Sequence, residues 1–102
     1  MDRAEVSFLR RVDANQPAIV AAFRNLGCHV AITSRLGGGF PDLVVGKPKL
    51  GKIVLVEVKD GSKPASARKL TEDEEEFRNA WAGAYAVVES ISDVIRVVRM
   101  YL

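Results

Sequence analysis

Apolar residues recur along the chain with two different periods, and the changes of period mark out the elements. Ile19, Ala22, Phe23 and Leu26 stand three and four positions apart, the spacing of one helix face. Asp13 or Asn15 can cap that helix, Pro17 lies in its first turn, where a missing N–H costs little, and Gly27 ends it. The pattern then turns to strands. His29 to Ser34 carries Val30 and Ile32 on one face. Leu43-Val44-Val45 and Ile53-Val54-Leu55-Val56 are short, rich in branched residues and bounded by Gly and Pro, which predicts two strands and a turn. Thr71 caps a second helix to about Ala82, anchored by Leu70, Phe77 and Trp81 and ended by Gly83. Tyr85 to Val88 is apolar throughout and predicts a fourth strand buried on both faces. Ser90 caps a last helix with Ile91, Val94, Ile95, Val98 and Leu102 as its core stripe. At the other end, Asp2 with Glu5 and the spacing of Val6, Leu9 and Val12 predict an N-terminal arm or short helix over 1–12. The order helix, three strands, helix, strand, helix is that of an α/β chain with no repeat or linker.

Length and composition narrow the class. A chain of 102 residues with 48% apolar and 27% charged residues reads as one soluble globular domain spanning 1–102. No apolar run approaches membrane-spanning length, and the charged start Met1-Asp2-Arg3-Ala4-Glu5 is not that of a signal peptide. Cys28 is the only cysteine, which fits a reducing, cytoplasmic setting. One Cys and one His exclude a zinc site built from the usual ligands. Cys28 and His29, as strand neighbours, face opposite sides and cannot form a catalytic pair. The net charge of +2 hides an uneven distribution: Arg24 to Lys69 holds nine basic residues against three acidic ones. That +6 middle can attract a polyanion.

Within the basic middle lies a compact set of chemical groups. Side chains alternate along a strand, so Glu57 and Lys59 point the same way and Val58 points into the core. An antiparallel neighbour brings Asp42 beside Glu57. Two carboxylates and an amine then share one small site, suited to a hard divalent cation and to phosphodiester hydrolysis. Glu-x-Lys by itself is more often a same-face surface ion pair. Gly37-Gly38-Gly39 runs into Phe40-Pro41-Asp42, and a loop without side chains lets a nucleic-acid backbone pass close. The segment Gly46-Lys47-Pro48-Lys49-Leu50-Gly51-Lys52 has the glycine and lysine spacing of a phosphate-binding loop. Ile53 stands where Ser or Thr is needed and a strand follows, so that reading fails. The acidic run Glu72 to Glu76 suits a helix N-terminus, with Glu74 in capping-box position relative to Thr71.

Pro41-Asp42, a strand hairpin and Glu57-Val58-Lys59 form the signature of the PD-(D/E)XK nuclease superfamily. Gly37-Gly38-Gly39-Phe40-Pro41-Asp42-Leu43, Leu55-Val56-Glu57-Val58-Lys59-Asp60-Gly61, Leu70-Thr71 and Trp81-Ala82-Gly83 together resemble the VRR-NUC family, in particular its small stand-alone members from phages and bacteria. The resemblance covers roughly residues 13–98. It implies a restriction-endonuclease-like αβββαβ core with a mixed sheet and a C-terminal helix. It also implies a Mg²⁺- or Mn²⁺-dependent endonuclease, homodimeric, acting on branched DNA in the manner of a Holliday-junction resolvase, in a bacterial or phage-infected cell. By position, Asp42 and Glu57 would hold the metal with the carbonyl of Val58, and Lys59 would be the catalytic lysine. Glu74 stands where the family usually has Gln, and serves either as an added ligand or as a helix cap. Gln16 matches the family's first-helix Gln, Asp13 is the nearest acid to it, and as accessory residues either could reach the metal through a water. Gly38, Gly39, Lys47, Lys49, Lys52, Lys63, Arg68 and Lys69 are the expected DNA contacts. The alternative is a nuclease fold that grips nucleic acid or a partner without cutting.

Overall fold

The computed structural model describes residues 12–102. The expected arm or short helix at 1–12 lies outside the described residues, apart from Val12, which is exposed before the first helix. The elements are α1 (Gln16–Asn25), β1 (His29–Ile32), β2 (Leu43–Lys47), β3 (Lys52–Val58), α2 (Glu72–Ala80), β4 (Tyr85–Val88) and α3 (Ile91–Tyr101), with a 3-10 turn at Ala65–Ala67.

The four strands form one sheet in the order β1-β2-β3-β4. β1, β2 and β3 are antiparallel neighbours, and β4 joins β3 in parallel. The mixed sheet follows from chain length. Four residues, 48–51, separate β2 from β3, enough for a hairpin, whereas the return to a parallel strand needs the crossover that α2 supplies. One face of the sheet presents Val30, Leu43, Val45, Val54, Val56, Val58, Ala86 and Val88 to Ile19, Val20 and Phe23 of α1 and Val94 and Val97 of α3. The opposite face carries the polar site.

Several expected anchors sit elsewhere. Leu26 is exposed because α1 ends at Asn25 and Gly27, at φ +83°, turns the chain away. Ile91 and Ile95 are exposed while Val94 and Val97 are buried, so the core stripe of α3 is rotated from the expected one. Ile32 shares a face with Val30 but stands at the end of an edge strand and is 58% exposed. β4 is also an edge strand, with Tyr85 and Val87 only half-buried. Trp81 lies just past the end of α2, exposed, stacked on Phe77 at 5.7 Å. The one buried residue of α2 is an acid, Glu74.

Gly39 positions α2. Its φ of +82° is a left-handed conformation, and a Cβ there would collide with the main chain of Asp73 in the first turn of α2. The glycine loop thus has a packing reason at its third position, whereas Gly37 and Gly38 face open space. Gly39→Ala is expected to destabilise the chain by about 2–4 kcal/mol, combining the φ penalty with the clash, and a denaturant melt checks it.

Candidate active site

The register builds the site. Leu43 pairs with Val56, so the next step places Asp42 opposite Glu57, on the face away from the apolar core. Both acids are buried, at 4% and 1% exposure. Asp42 Oδ2 accepts a hydrogen bond from the Val58 main-chain N–H at 2.8 Å, which fixes its carboxyl across the end of β3. Lys59 follows on the same face as Glu57, with Nζ 3.6 Å from Glu57 Oε2 and 2.7 Å from Glu74 Oε1.

Glu74 has two structural tasks. It completes a capping box with Thr71, its own N–H bonding the Thr71 hydroxyl and its Oε1 accepting from the Thr71 N–H at 2.8 Å. The same oxygen holds the Lys59 ammonium. The helix start and the lysine are therefore fastened by one carboxylate.

The electrostatics separate the acids. Glu57 is pushed up to about 9, first by burial and then by the neighbouring carboxyls of Asp42 and Glu74. Burial also works upward on Glu74, but the Lys59 hydrogen bond and the Thr71 N–H outweigh it and hold Glu74 down at about 2. Lys59 is raised: burial works downward on it, and the bond to Glu74 with the charges of Glu74, Glu57 and Asp13 overcomes that. Lys59 is thus an ammonium at neutral pH.

The donors suit a hard cation. Two buried carboxyls on adjacent strands offer oxygen ligands, and the elevated Glu57 is a group that ionises when positive charge joins it. Among the described residues no group of three or more His, Cys, Asp and Glu side chains has the spacing of a preformed cage. A site of two carboxyls would leave magnesium most of its waters.

The other expected residues are spread out. Asp13 lies 3.6 Å from Lys63 Nζ, and Gln16 Nε2 bonds Ser34 Oγ at 2.9 Å. Arg68 is paired with Glu89 at 2.9 Å. Lys63, Arg68 and Lys69 lie in the segment between β3 and α2. Lys47 and Lys52 pair with each other at the far end of the hairpin, about 14 Å along the strand from Leu43, and Lys49 lies in the turn beyond them.

Two features of the site had no signal in the sequence. Asn15 occupies the N-cap of α1 without capping it; its Nδ2 instead donates to the carbonyls of Lys59 at 3.0 Å and Glu89 at 3.2 Å. The side chain ties the start of α1 to the ends of β3 and β4. Tyr85, beside Leu55 on the site face, has a buried hydroxyl with no hydrogen-bond partner among the described residues. Burial pushes its pKa up, and the charges of Glu57, Glu74 and Asp42 add to that.

No family model and no curated protein matches the chain. A solved structure described as a VRR_NUC domain does, with a TM-score of 0.55 and 28% sequence identity, over 88% of this chain and 100% of that one. The chain thus resembles a VRR-NUC domain in both fold and sequence. That likeness is to a nuclease-fold domain, and here Pro41-Asp42 and Glu57-Val58-Lys59 meet across the end of the hairpin. The mixed sheet and the order of helices and strands are those of an α/β restriction-endonuclease-like fold.

Proposed function

We propose that this chain is a metal-dependent, structure-selective DNA endonuclease, acting as a homodimer on branched DNA such as a Holliday junction. The observation that carries the reading is the burial of Asp42 against Glu57 with the Lys59 ammonium on the same strand face. Asp42, Glu57 and the Val58 carbonyl would hold Mg²⁺ or Mn²⁺. Such an ion acidifies a bound water and offsets charge that builds on the phosphate. Lys59, kept protonated by Glu74, donates to the attacking water or to a phosphate oxygen and stabilises the added negative charge. Its raised pKa favours that role over removal of a proton from water. Asn15 fixes the main chain on which Lys59 is mounted.

Lys63, Arg68 and Lys69 supply positive charge beside the site and would bind phosphates, which positions DNA without reading its sequence. Lys63→Ala and Lys69→Ala are each expected to weaken all DNA substrates alike. Each should also lower the slope of log affinity against log salt by about one, measured by fluorescence anisotropy. Exposed Ile91 and Ile95, on one side of α3, favour a second copy docking there, which would set two sites in fixed relation for paired cuts.

Incubation with a labelled four-way junction and a linear duplex, in Mg²⁺, Mn²⁺ or EDTA, tests the reading. Metal-dependent cutting that prefers the junction is the expected result. Cutting in EDTA, or tight binding with no cutting in either metal, overturns it.

A further inference from the structure

A second cavity-bearing surface adjoins the site and is not used by it. Between the start of α1 and the end of β1 lies a groove of about 810 Å³, within the range, roughly 300–1,000 Å³, of sites that take small organic molecules. Val20, Ile32 and Leu36 give it apolar walls, and Arg24 and Arg35 stand exposed along it. Its polar part is buried: Gln16 and Ser34 are 3% and 1% exposed. The Gln16 carboxamide donates through Nε2 to Ser34 Oγ at 2.9 Å. Its Oε1 is buried and has no hydrogen-bond partner among the described residues. A buried acceptor of that kind costs free energy unless something brings it a donor.

The groove shares a wall with the carboxylate site. Thr33, next to Ser34, donates its main-chain N–H to the Asp42 carbonyl at 2.7 Å, and its hydroxyl bonds the Pro41 carbonyl at 2.8 Å. Thr33, a wall of the groove, is thus bonded to the main chain that leads into β2.

We propose that this groove holds one unpaired nucleotide of a nucleic-acid strand. The base lies against Val20, Ile32 and Leu36, an N–H on its edge bonds Gln16 Oε1, and a flanking phosphate meets Arg35 and Arg24. The identity of the strand rests on the nuclease reading above; the groove chemistry does not. An alkyl chain would suit the walls but leave the carboxamide oxygen unpaired, and a carboxylate, an acceptor only, brings it no donor. Each of the four bases carries an N–H on its pairing edge, so one acceptor takes any of them without selecting sequence. In a duplex those N–H groups are engaged with the opposite strand and the flat faces are covered, so an unpaired base is required.

The test is an NMR titration of the isotope-labelled full chain in EDTA. Three probes are compared: a short single-stranded oligodeoxynucleotide, the same oligonucleotide with an abasic position, and a free deoxynucleoside monophosphate. The expected result is saturable shifts at the Gln16 side chain and the amides of 33–36. The abasic strand and the free nucleotide should each bind about tenfold or more weakly than the intact strand. Gln16→Leu, close in volume, should lose about tenfold for the intact strand and little for the abasic one, while Arg35→Ala, an exposed change, should weaken both. Equal binding of the abasic strand, equal binding of the free nucleotide, an unchanged Gln16→Leu titration, or no saturable shifts because another part of the chain fills the groove would each overturn the proposal. Nothing is cut in this experiment. Binding as expected by a chain that never cleaves DNA refutes the nuclease reading alone, and cleavage without these shifts refutes this inference alone.

Discussion

Replacing Asp42 by Asn is expected to lower the cleavage rate by about a thousandfold or more while leaving the fold and DNA binding in place. Asn keeps an acceptor oxygen for the Val58 N–H, the bond that holds this side chain across β3. What it loses is the negative charge that would grip a cation. Lys59→Ala removes the ammonium beside the same carboxyls and should cost about a hundred- to ten-thousandfold, also with little effect on affinity. Single-turnover cleavage at saturating DNA gives the rate, and anisotropy in Ca²⁺ or EDTA gives the binding. Circular dichroism melts show whether each variant folds. A folded Asp42→Asn protein that cuts at the parent rate would end the catalytic assignment.

The metal-free chain should lose stability as the pH rises from about 4.5 towards 9. The Glu57 carboxyl, ordinarily near 4.5, is pushed up to about 9 by burial first and by Asp42 and Glu74 next. Between those two values the unfolded chain has given up this proton and the folded one keeps it. The folded state therefore binds more protons, and the stability present below the lower value is lost as the pH climbs through the upper one. Glu74 acts in the other direction. Held down at about 2, it contributes stability above its ordinary value, and that is lost as the pH falls towards 2. Glu57→Gln removes the alkaline loss and is expected to exceed the parent by on the order of 3 kcal/mol at pH 8 in EDTA. Excess Mg²⁺ or Mn²⁺ should raise the melting temperature of the parent more at high pH than at low, because binding displaces the Glu57 proton. Guanidinium melts at several pH values, with and without metal, measure both effects. A flat parent profile in EDTA would contradict the environment described for Glu57.

Element types and their order were legible from periodicity because each short apolar run is bounded by Gly, Pro or a cap. The pairing of Asp42 with Glu57 was legible for the same reason: a tight hairpin leaves little choice of register. Burial was harder to read. On α3 the residues Val94 and Val97 face inward and Ile91 and Ile95 do not, though all four are apolar, so hydrophobicity alone does not pick the buried stripe. On α2 the aromatic residues suggested a core face, yet Glu74 is the buried residue, because Lys59 and Thr71 satisfy its oxygens. Asn15 looked like an ordinary cap. Its bonds reach residues 44 and 74 positions away, and no local pattern announces such a partner.

The attachment of α2 has a consequence for how the lysine is controlled. This helix is solvent-facing except at Glu74, and it is anchored by its first turn, the Gly39 approach and the ring of Phe77. The anchor that secures the helix is also the counter-ion that keeps Lys59 charged and aimed. Peeling the first turn of α2 away would thus release the ammonium and slacken the carboxyl cluster in one movement. On the nuclease reading, the docking of this one surface helix would gate the cut.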